Sequence, residues 1–254
     1  MEDSIQEAAE TPAAPGEVVA VPPSATWKRV LWENVKSLLF VLIAVFFIRS
    51  FVIEATVVPT GSMERTILIG DHLFLSKLLY GPRIPFTDLR FPALKSIHRG
   101  DIVAFRFPLD PSLTYVKRVI AVPGETVQIR RKQVFVDGVR LDEPYVVHSD
   151  SQTYGDHDFI PADLRLRDNM ASITIPPGYF FALGDNRDLS YDSRFWGLVP
   201  LDNIVGEPLF VFWSYDAPTQ AWLSPGVEGK LKFYSSVLLH FFDRTRWNRT
   251  GKLF

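Results

Sequence analysis

Hydrophobic residues follow two contrasting patterns along this chain. Near the N-terminus every residue from Leu38 to Ile48 is apolar, and after Arg49 and Ser50 the apolar run resumes and ends at Ile53. After residue 66 the chain shows short segments rich in β-branched and aromatic residues, bounded by Gly, Pro or Asp. No long helical period occurs there. The pattern predicts an N-terminal transmembrane helix followed by a mainly β, antiparallel and barrel-like domain.

The predicted strands are short and spread over the second part of the chain. They cover residues 73–75, 101–106, 115–122, 126–130, 133–136, 173–175, 179–183 and 209–213. Asp137-Gly138 is a strong hairpin signal between two of them. Residues 79–94 contain three prolines, so we expect an extended ribbon or a loop there.

The apolar run is long enough for a membrane anchor. Residues 27–53 include roughly 20 positions suited to a bilayer core, and Lys36 and Arg49 would lie near its two interfaces. The alternatives are a helix buried in a protein core and a signal peptide cut near the small residue Ala55. The acidic stretch ahead of residue 28 is atypical of a signal peptide.

The cations around the run favour one orientation. Lys28, Arg29 and Lys36 precede its core, whereas Arg49 and Arg65 follow it. Since cytoplasmic flanks carry an excess of Lys and Arg, the N-terminus is expected in the cytoplasm and the rest of the chain outside.

Composition narrows the function further. The chain has 254 residues and a net charge of −2, which argues against nucleic acid as a partner. The absence of cysteine excludes thiol nucleophiles and disulfides. No His–Glu spacing typical of a zinc helix occurs, so neither a metal nor a cofactor is expected.

Residues 1–26 contain five acids and no Lys or Arg, which predicts a disordered acidic tail.

A candidate nucleophile follows the apolar run, in Pro59-Thr60-Gly61-Ser62-Met63. Gly61 permits a sharp bend that would expose the Ser62 hydroxyl, as acyl-transfer chemistry requires. An ordinary turn has the same composition. Nine positions separate Ser62 from Ile53, so its hydroxyl would lie within about 30 Å of the bilayer.

Lys117 is a candidate base, because its segment is apolar on both faces. Strand alternation places Lys117 with Tyr115 and Val119, and Arg118 on the opposite face. Loss of hydration lowers the pKa of an amine, so Lys117 could accept a proton from Ser62. A lysine that extends to solvent at a sheet edge is the alternative. The five histidines are scattered, although spacing alone leaves a histidine triad open.

Residues 184–200 form a third notable segment, in which acids and arginines alternate with serines between glycines. The segment is either a solvated loop or a turn packed on the core, where Asp–Arg pairs would neutralise one another.

These three segments and Gly70-Asp71-His72 have the order and spacing of bacterial type I signal peptidases, which the chain resembles over residues 28 to about 223. The resemblance implies a twisted antiparallel β catalytic domain with an inserted β subdomain. The expected ranges are 27–53 for the anchor, 54–125 and 179–223 for the catalytic domain, and 126–178 for the inserted subdomain. Residues 224–254 form a C-terminal segment outside the resemblance.

By the same resemblance, Ser62 is the nucleophile of a serine endopeptidase and Lys117 its general base. Ser190 would orient Lys117 through a hydrogen bond. The backbone N–H of Ser62 and the hydroxyl of Thr60, where many members have Ser, would form the oxyanion hole. The implied bracing residues are Asp192, Arg194 and Asp185.

The implied substrate is the signal peptide of an exported preprotein, cleaved after small residues at Ala-x-Ala sites. It would add as a strand beside the chain leading to the nucleophile. The implied substrate pockets are lined by Val58, Met63, Tyr115 and Val116. The expected partners are therefore preproteins and the lipid bilayer, at the bacterial cytoplasmic membrane.

Two other functions fit parts of the pattern. A self-cleaving transcriptional repressor shares the serine–lysine pair but needs a DNA-binding helical domain in place of the apolar run. A membrane-tethered β domain acting as a scaffold needs no reactive serine, so it would keep its function when Ser62 is replaced.

Overall fold

The computed structural model describes residues 27–85, 87, 89–223 and 226–254. The acidic tail predicted for residues 1–26 lies outside these residues. The chain divides into two compact units, Met1–Ala44 and Val45–Phe254.

The N-terminal apolar run is helical, as predicted. Helix α1 covers Trp27–Phe47 and continues into a π-helical turn at Ile48–Val52. Together they make 26 residues, and an 18-residue window within them has a mean hydropathy of 2.2, enough by length and composition to cross a membrane. No residue of α1 is buried in protein, so the alternative of a core helix is wrong.

Eleven strands occur in the described part of the chain. In chain order they are β1 Ile53–Val57, β2 Asp71–Ser76, β3 Ile102–Phe107, β4 Asp110–Ala121, β5 Thr126–Arg130, β6 Gln133–Val136, β7 Val139–Arg140, β8 Met170–Thr174, β9 Tyr179–Leu183, β10 Val199–Pro200 and β11 Ile204–Ser214. Every pairing between them is antiparallel. The prediction of a mainly β, antiparallel domain after one helix is confirmed.

The strands form two sheets. The larger has the order β1-β2-β11-β3-β4-β9-β10, and the smaller has the order β7-β6-β5-β8. Strands β1, β7 and β10 were not predicted. The first directly follows the apolar run, which hides its alternation, and the other two have only two residues each.

The smaller sheet lies within the range 126–178 and packs on the larger one. Ile120 of β4 and Phe181 and Leu183 of β9 share a buried cluster with Val127 of β5 and Val136 of β6. The two sheets therefore have a common core, and the subdomain boundaries stay a prediction.

The connection between β2 and β3 includes residues 79–94, the proline-containing stretch predicted to be an extended ribbon or a loop. In this ribbon Arg83 and Arg90 form an isolated antiparallel bridge, and the Ile84 N–H donates to the Leu89 carbonyl at 2.9 Å.

Five further α-helices follow α1 in the described residues. The short ones are α2 Ala162–Asp168, α3 Ser193–Trp196, α4 Thr219–Trp222 and α6 Phe241–Arg244, and the longest of the five is α5 Gly226–Leu239. The expectation of no long helix after residue 66 is wrong at α5. Its apolar residues are largely exposed. They do not form the single buried apolar face whose 3.6-residue repeat identifies a core helix in a sequence.

Candidate active site

Ser62 lies in a short 3-10 turn, Gly61–Met63, that follows β1. The expectation of a hydroxyl exposed by an unusual Gly61 conformation is wrong. Ser62 is only 8% exposed, and the left-handed residues nearby are Arg65 and Gly70, which follow the turn. An added Cβ at Gly61 would lie 3.2 Å from a carboxylate oxygen of the exposed Glu64, a flexible side chain that could make room for it.

The Lys117 amine points into the protein beside this turn. Its Nζ lies 2.5 Å from Ser62 Oγ, although the two residues are 55 positions apart. Lys117 belongs to β4, where it pairs with Val103, and it is 4% exposed. The alternative of a lysine reaching solvent is therefore wrong.

The protonation of Lys117 follows from this burial. Desolvation lowers the pKa of Lys117 to about 8, from an ordinary 10.5. Asp192 opposes the change because its negative charge favours the ammonium form, and Arg194 reinforces it. A substantial fraction of the amine is consequently neutral near physiological pH, as a base requires.

Arg118 connects the opposite face of β4 to the turn at residue 184. Its guanidinium donates to both carboxylate oxygens of Asp185, at 2.8 and 2.7 Å. The Thr66 hydroxyl donates to the same carboxylate at 2.6 Å. Asp185 therefore joins β4 to the loop after Ser62.

The same turn holds Ser62 through its backbone. The Asn186 N–H donates to the Ser62 carbonyl at 3.1 Å. A Cβ added to Gly184 would collide with the Ser62 carbonyl and the Ser190 hydroxyl. Only a glycine at position 184 lets the two segments approach this closely.

Asp192 and Arg194 form the pair that the resemblance implies. Arg194 Nε donates to Asp192 at 2.8 Å, and the guanidinium also donates to the Arg187 carbonyl at 2.6 Å. Burial by itself would raise the pKa of Asp192, but the charge of Arg194 and its hydrogen bonds lower that pKa overall. The Asp192 carboxylate is therefore ionised, and Arg194 compensates its charge.

Ser190 is buried beside the dyad without the hydrogen bond to Lys117 expected of it. Its Oγ forms no hydrogen bond of good geometry with any described residue, although it is close enough to Asp192 to help lower the pKa of that carboxyl. The hydroxyl also lies next to the Gly184 backbone. Ser190 is therefore near the dyad, but its orienting role stays a prediction.

Thr60 and the Ser62 backbone N–H are the donors expected to form an oxyanion hole, a role that stays a prediction. Thr60 is exposed and lines the cavity in front of Ser62. Within the part of the chain described, the Ser62 N–H donates to no other residue. Both donors are thus free for a ligand.

A cavity of about 180 Å³ opens in front of the dyad. Its lining includes every residue predicted to contact substrate: Val58, Met63, Tyr115 and Val116. Sequence reasoning missed Val57, Leu189 and Tyr191, which also line it. Leu189 and Tyr191 flank Ser190 in the 184–200 segment. Their position next to a predicted site residue could have identified them.

Histidines do not take part in this site. His72 lies against the Gly70 carbonyl and the ring of Trp213, and His148 lies 3.6 Å from Asp188. No group of three or more metal-ligating side chains occurs among the described residues. The geometry favours a lysine as the base.

Fold and site together define a class: a serine hydrolase with an antiparallel β domain, carried on a helix of membrane-spanning length. Comparison with known proteins is more specific. Residues 31–213 match the family model described as signal peptidase, peptidase S26. The chain belongs to this family of serine peptidases.

Individual relatives agree with the family match. A signal peptidase I of Pseudomonas aeruginosa is 35% identical over 74% of this chain and 75% of its own length. That of Pseudomonas fluorescens is 33% identical, again over 74% and 75%. A crystal structure of a signal peptidase I from Enterococcus faecalis is 37% identical over 44% of this chain and 97% of that one, with a TM-score of 0.35.

Proposed function

We propose that this peptidase cleaves the signal peptides of exported preproteins with Ser62 as nucleophile and Lys117 as general base. The 2.5 Å contact between Ser62 Oγ and the buried Lys117 Nζ carries the proposal. A neutral amine at that distance can take the hydroxyl proton as Oγ attacks the scissile carbonyl carbon.

The negative charge of the tetrahedral intermediate needs donors near Ser62. The Ser62 N–H and the Thr60 hydroxyl would supply them, and one such donor typically contributes about 3 kcal/mol to lowering the barrier. The Lys117 ammonium then donates its proton to the leaving amine as the peptide bond breaks. In deacylation, Lys117 takes a proton from water as the water oxygen attacks the carbonyl carbon of the Ser62 ester. The Lys117 ammonium returns that proton to Ser62 Oγ as the acyl–oxygen bond breaks and the second product leaves.

Open sheet edges favour an extended substrate. Strand β1 ends the larger sheet, and β4 pairs with β9 only from Arg118 onward. The backbone before Arg118 is therefore available to a peptide that also runs beside residues 57–60. The small cavity between these edges, with Met63 and Val58 buried in its wall, would admit only small side chains such as Ala.

Membrane anchoring suits this substrate, which is itself inserted in the bilayer. The cations that precede the core of the span favour a cytoplasmic N-terminus and a catalytic domain on the outer face of the bacterial cytoplasmic membrane. Because β1 begins directly after the span, Ser62 stays within about 30 Å of the bilayer surface.

The test is cleavage of a purified preprotein with an Ala-x-Ala site by the full-length chain in detergent. Ser62→Ala and Lys117→Ala should each lower the rate by at least about a thousandfold, since nucleophile and base act as a unit. Lys117→Arg should be equally inactive, because a guanidinium does not lose its proton.

Arg130→Gln is the matched control, since this exposed arginine on β5 donates, within the described ranges, only to Gln128 and lies against the ring of Phe135. It should cleave at the normal rate. Turnover that persists in Ser62→Ala or Lys117→Ala would refute the dyad, and an unchanged cellular phenotype would point to a scaffold.

A further inference from the structure

A cavity of about 900 Å³ lies where the apolar span ends. Phe46, in the last turn of α1, and Arg49 and Ser50, in the π turn, line one side of it. The ribbon after β2 and parts of β3, β4 and β11 line the rest, all within the Val45–Phe254 unit. If the span crosses a bilayer, this cavity is at the level of the lipid headgroups.

Positive charge dominates the lining. Among the described residues of the lining, the cations are Arg49, Lys77, Arg83, Arg90 and Arg106, and the one acid is Glu54. Glu54 is already paired with Lys77 at 3.1 Å. Asp202, outside the lining, comes within 3.7 Å of Arg90. The cavity therefore keeps an excess of cations, which attracts anions.

Neutral acceptors hold two of these arginines in place. Arg83 donates to the Asp202 carbonyl at 2.7 Å, and Arg90 donates to the carbonyls of Gly81 and Ile204 at 2.9 and 2.7 Å. These contacts fix the guanidinium groups without cancelling their charge.

Charge compensation is incomplete around them. In the described ranges, no carboxylate lies within 4.0 Å of the guanidinium of Arg49, Arg83 or Arg106. Burial, and then repulsion by Arg83 and Arg106, hold the pKa of Arg90 below its ordinary value. A bound anion would relieve that repulsion.

We propose that this cavity binds the phosphate of an anionic phospholipid headgroup. Guanidinium groups suit the oxyanions of a phosphate because they donate in a planar fork. Phe46, Ile84 and Pro85 add an apolar side to the lining, which fits the glycerol and upper acyl region of a lipid better than a free ion. The inference depends on the membrane span and is independent of the peptidase chemistry.

Lipid titration of the full-length chain tests this. Neutral detergent micelles would contain either phosphatidylglycerol or zwitterionic phosphatidylcholine, with bound lipid counted by native mass spectrometry. Phosphatidylglycerol should bind more tightly. Arg106→Gln and Arg83→Gln should each weaken its binding about fivefold, the loss typical of one cation at an anionic surface.

Arg130→Gln is the matched control, because it removes the same charge from an exposed site in the smaller sheet. Arg106 donates no side-chain hydrogen bond to a described residue, so its variant should unfold at an unchanged temperature in phosphatidylcholine micelles. Inorganic phosphate should compete only weakly.

Three results would overturn the proposal. Phosphatidylglycerol could bind no better than phosphatidylcholine. Arg130→Gln could weaken binding as much as Arg106→Gln, which would indicate a diffuse surface effect. Inorganic phosphate could displace the lipid at equal concentration, which would assign the cavity to free anions.

Discussion

Lys117 occupies an interior position that an ordinary lysine would avoid. Burying an ammonium ion is costly, and releasing its proton is the cheaper response. A nearby carboxylate could instead hold the proton in a buried ion pair. Asp192 is close enough to favour that state, but Arg194 takes both of its oxygens, at 2.8 Å each. Arg194 therefore offsets part of the attraction of Asp192 for a proton on Lys117, so that burial decides the direction of the pKa change, and the pair also holds the turn.

The pH dependence of cleavage should report the protonation of Lys117. Because the neutral amine is the base, kcat/KM should rise with pH and level off above the pKa of about 8. Below that pKa the rate should fall about tenfold per pH unit. A soluble peptide substrate separates this effect from changes in the membrane.

Two values for the midpoint of the rise in kcat/KM with pH would contradict Lys117 as the base. A rise centred near 6.5 would implicate a histidine, and one centred near 10.5 would show a fully hydrated lysine.

At the scale of elements, the C-terminal segment stabilises the loop that follows the nucleophile. Arg249 donates to the buried Asp71 carboxylate, with its Nε at 2.9 Å, and Lys252 donates to the Thr66 carbonyl at 3.0 Å. Asp71 also accepts from Ser214 at 2.6 Å. This segment lies beyond the family match, yet it contacts the loop that carries Thr66, a partner of Asp185.

Replacing Arg249 should loosen that loop. Arg249→Met leaves the buried Asp71 carboxylate without its cation, so the free energy of unfolding should fall by roughly 3 kcal/mol, the lower end of the range for a broken buried pair. Chemical denaturation measures the change, and kcat should fall with it.

Arg244→Met is the comparison, because Arg244 is exposed and forms no salt bridge with a described residue. It should shift stability by no more than about 0.5 kcal/mol. Equal effects of the two substitutions would remove the bracing role of Arg249.

For the whole molecule, the central prediction is orientation across the membrane. The chain contains no cysteine, so single cysteines can be introduced as unique labels. Val139→Cys, at a residue 71% exposed on β7, should react with an impermeant maleimide in spheroplasts. Thr11→Cys, in the tail, should react only after the membrane is permeabilised.

The reverse labelling pattern would overturn the proposed topology. Loss of the Thr11→Cys label from the mature chain would instead identify the apolar run as a cleaved signal peptide.

Much of the architecture was predictable because it depends on local pattern. Uninterrupted apolar residues specified α1, and β-branched and aromatic segments bounded by turn residues predicted eight strands, of which β4 and β11 begin earlier than predicted. Elements without such a pattern were not predicted. Strand β1 is hidden behind the apolar run, and α5 exposes the apolar residues that a core helix would bury.

By itself the sequence determined the kinds of groups available: one membrane-length helix, no thiol, and segments whose spacing matches signal peptidases. Only the tertiary structure decided that the Ser62 hydroxyl and the Lys117 amine, 55 positions apart, would meet at 2.5 Å. It also decided that Arg194 would pair with the nearby Asp192 carboxylate. The reason is physical. Dehydration of the amine is a collective result of packing among β4, the 3-10 turn and the turn at Gly184, and no single segment contains it.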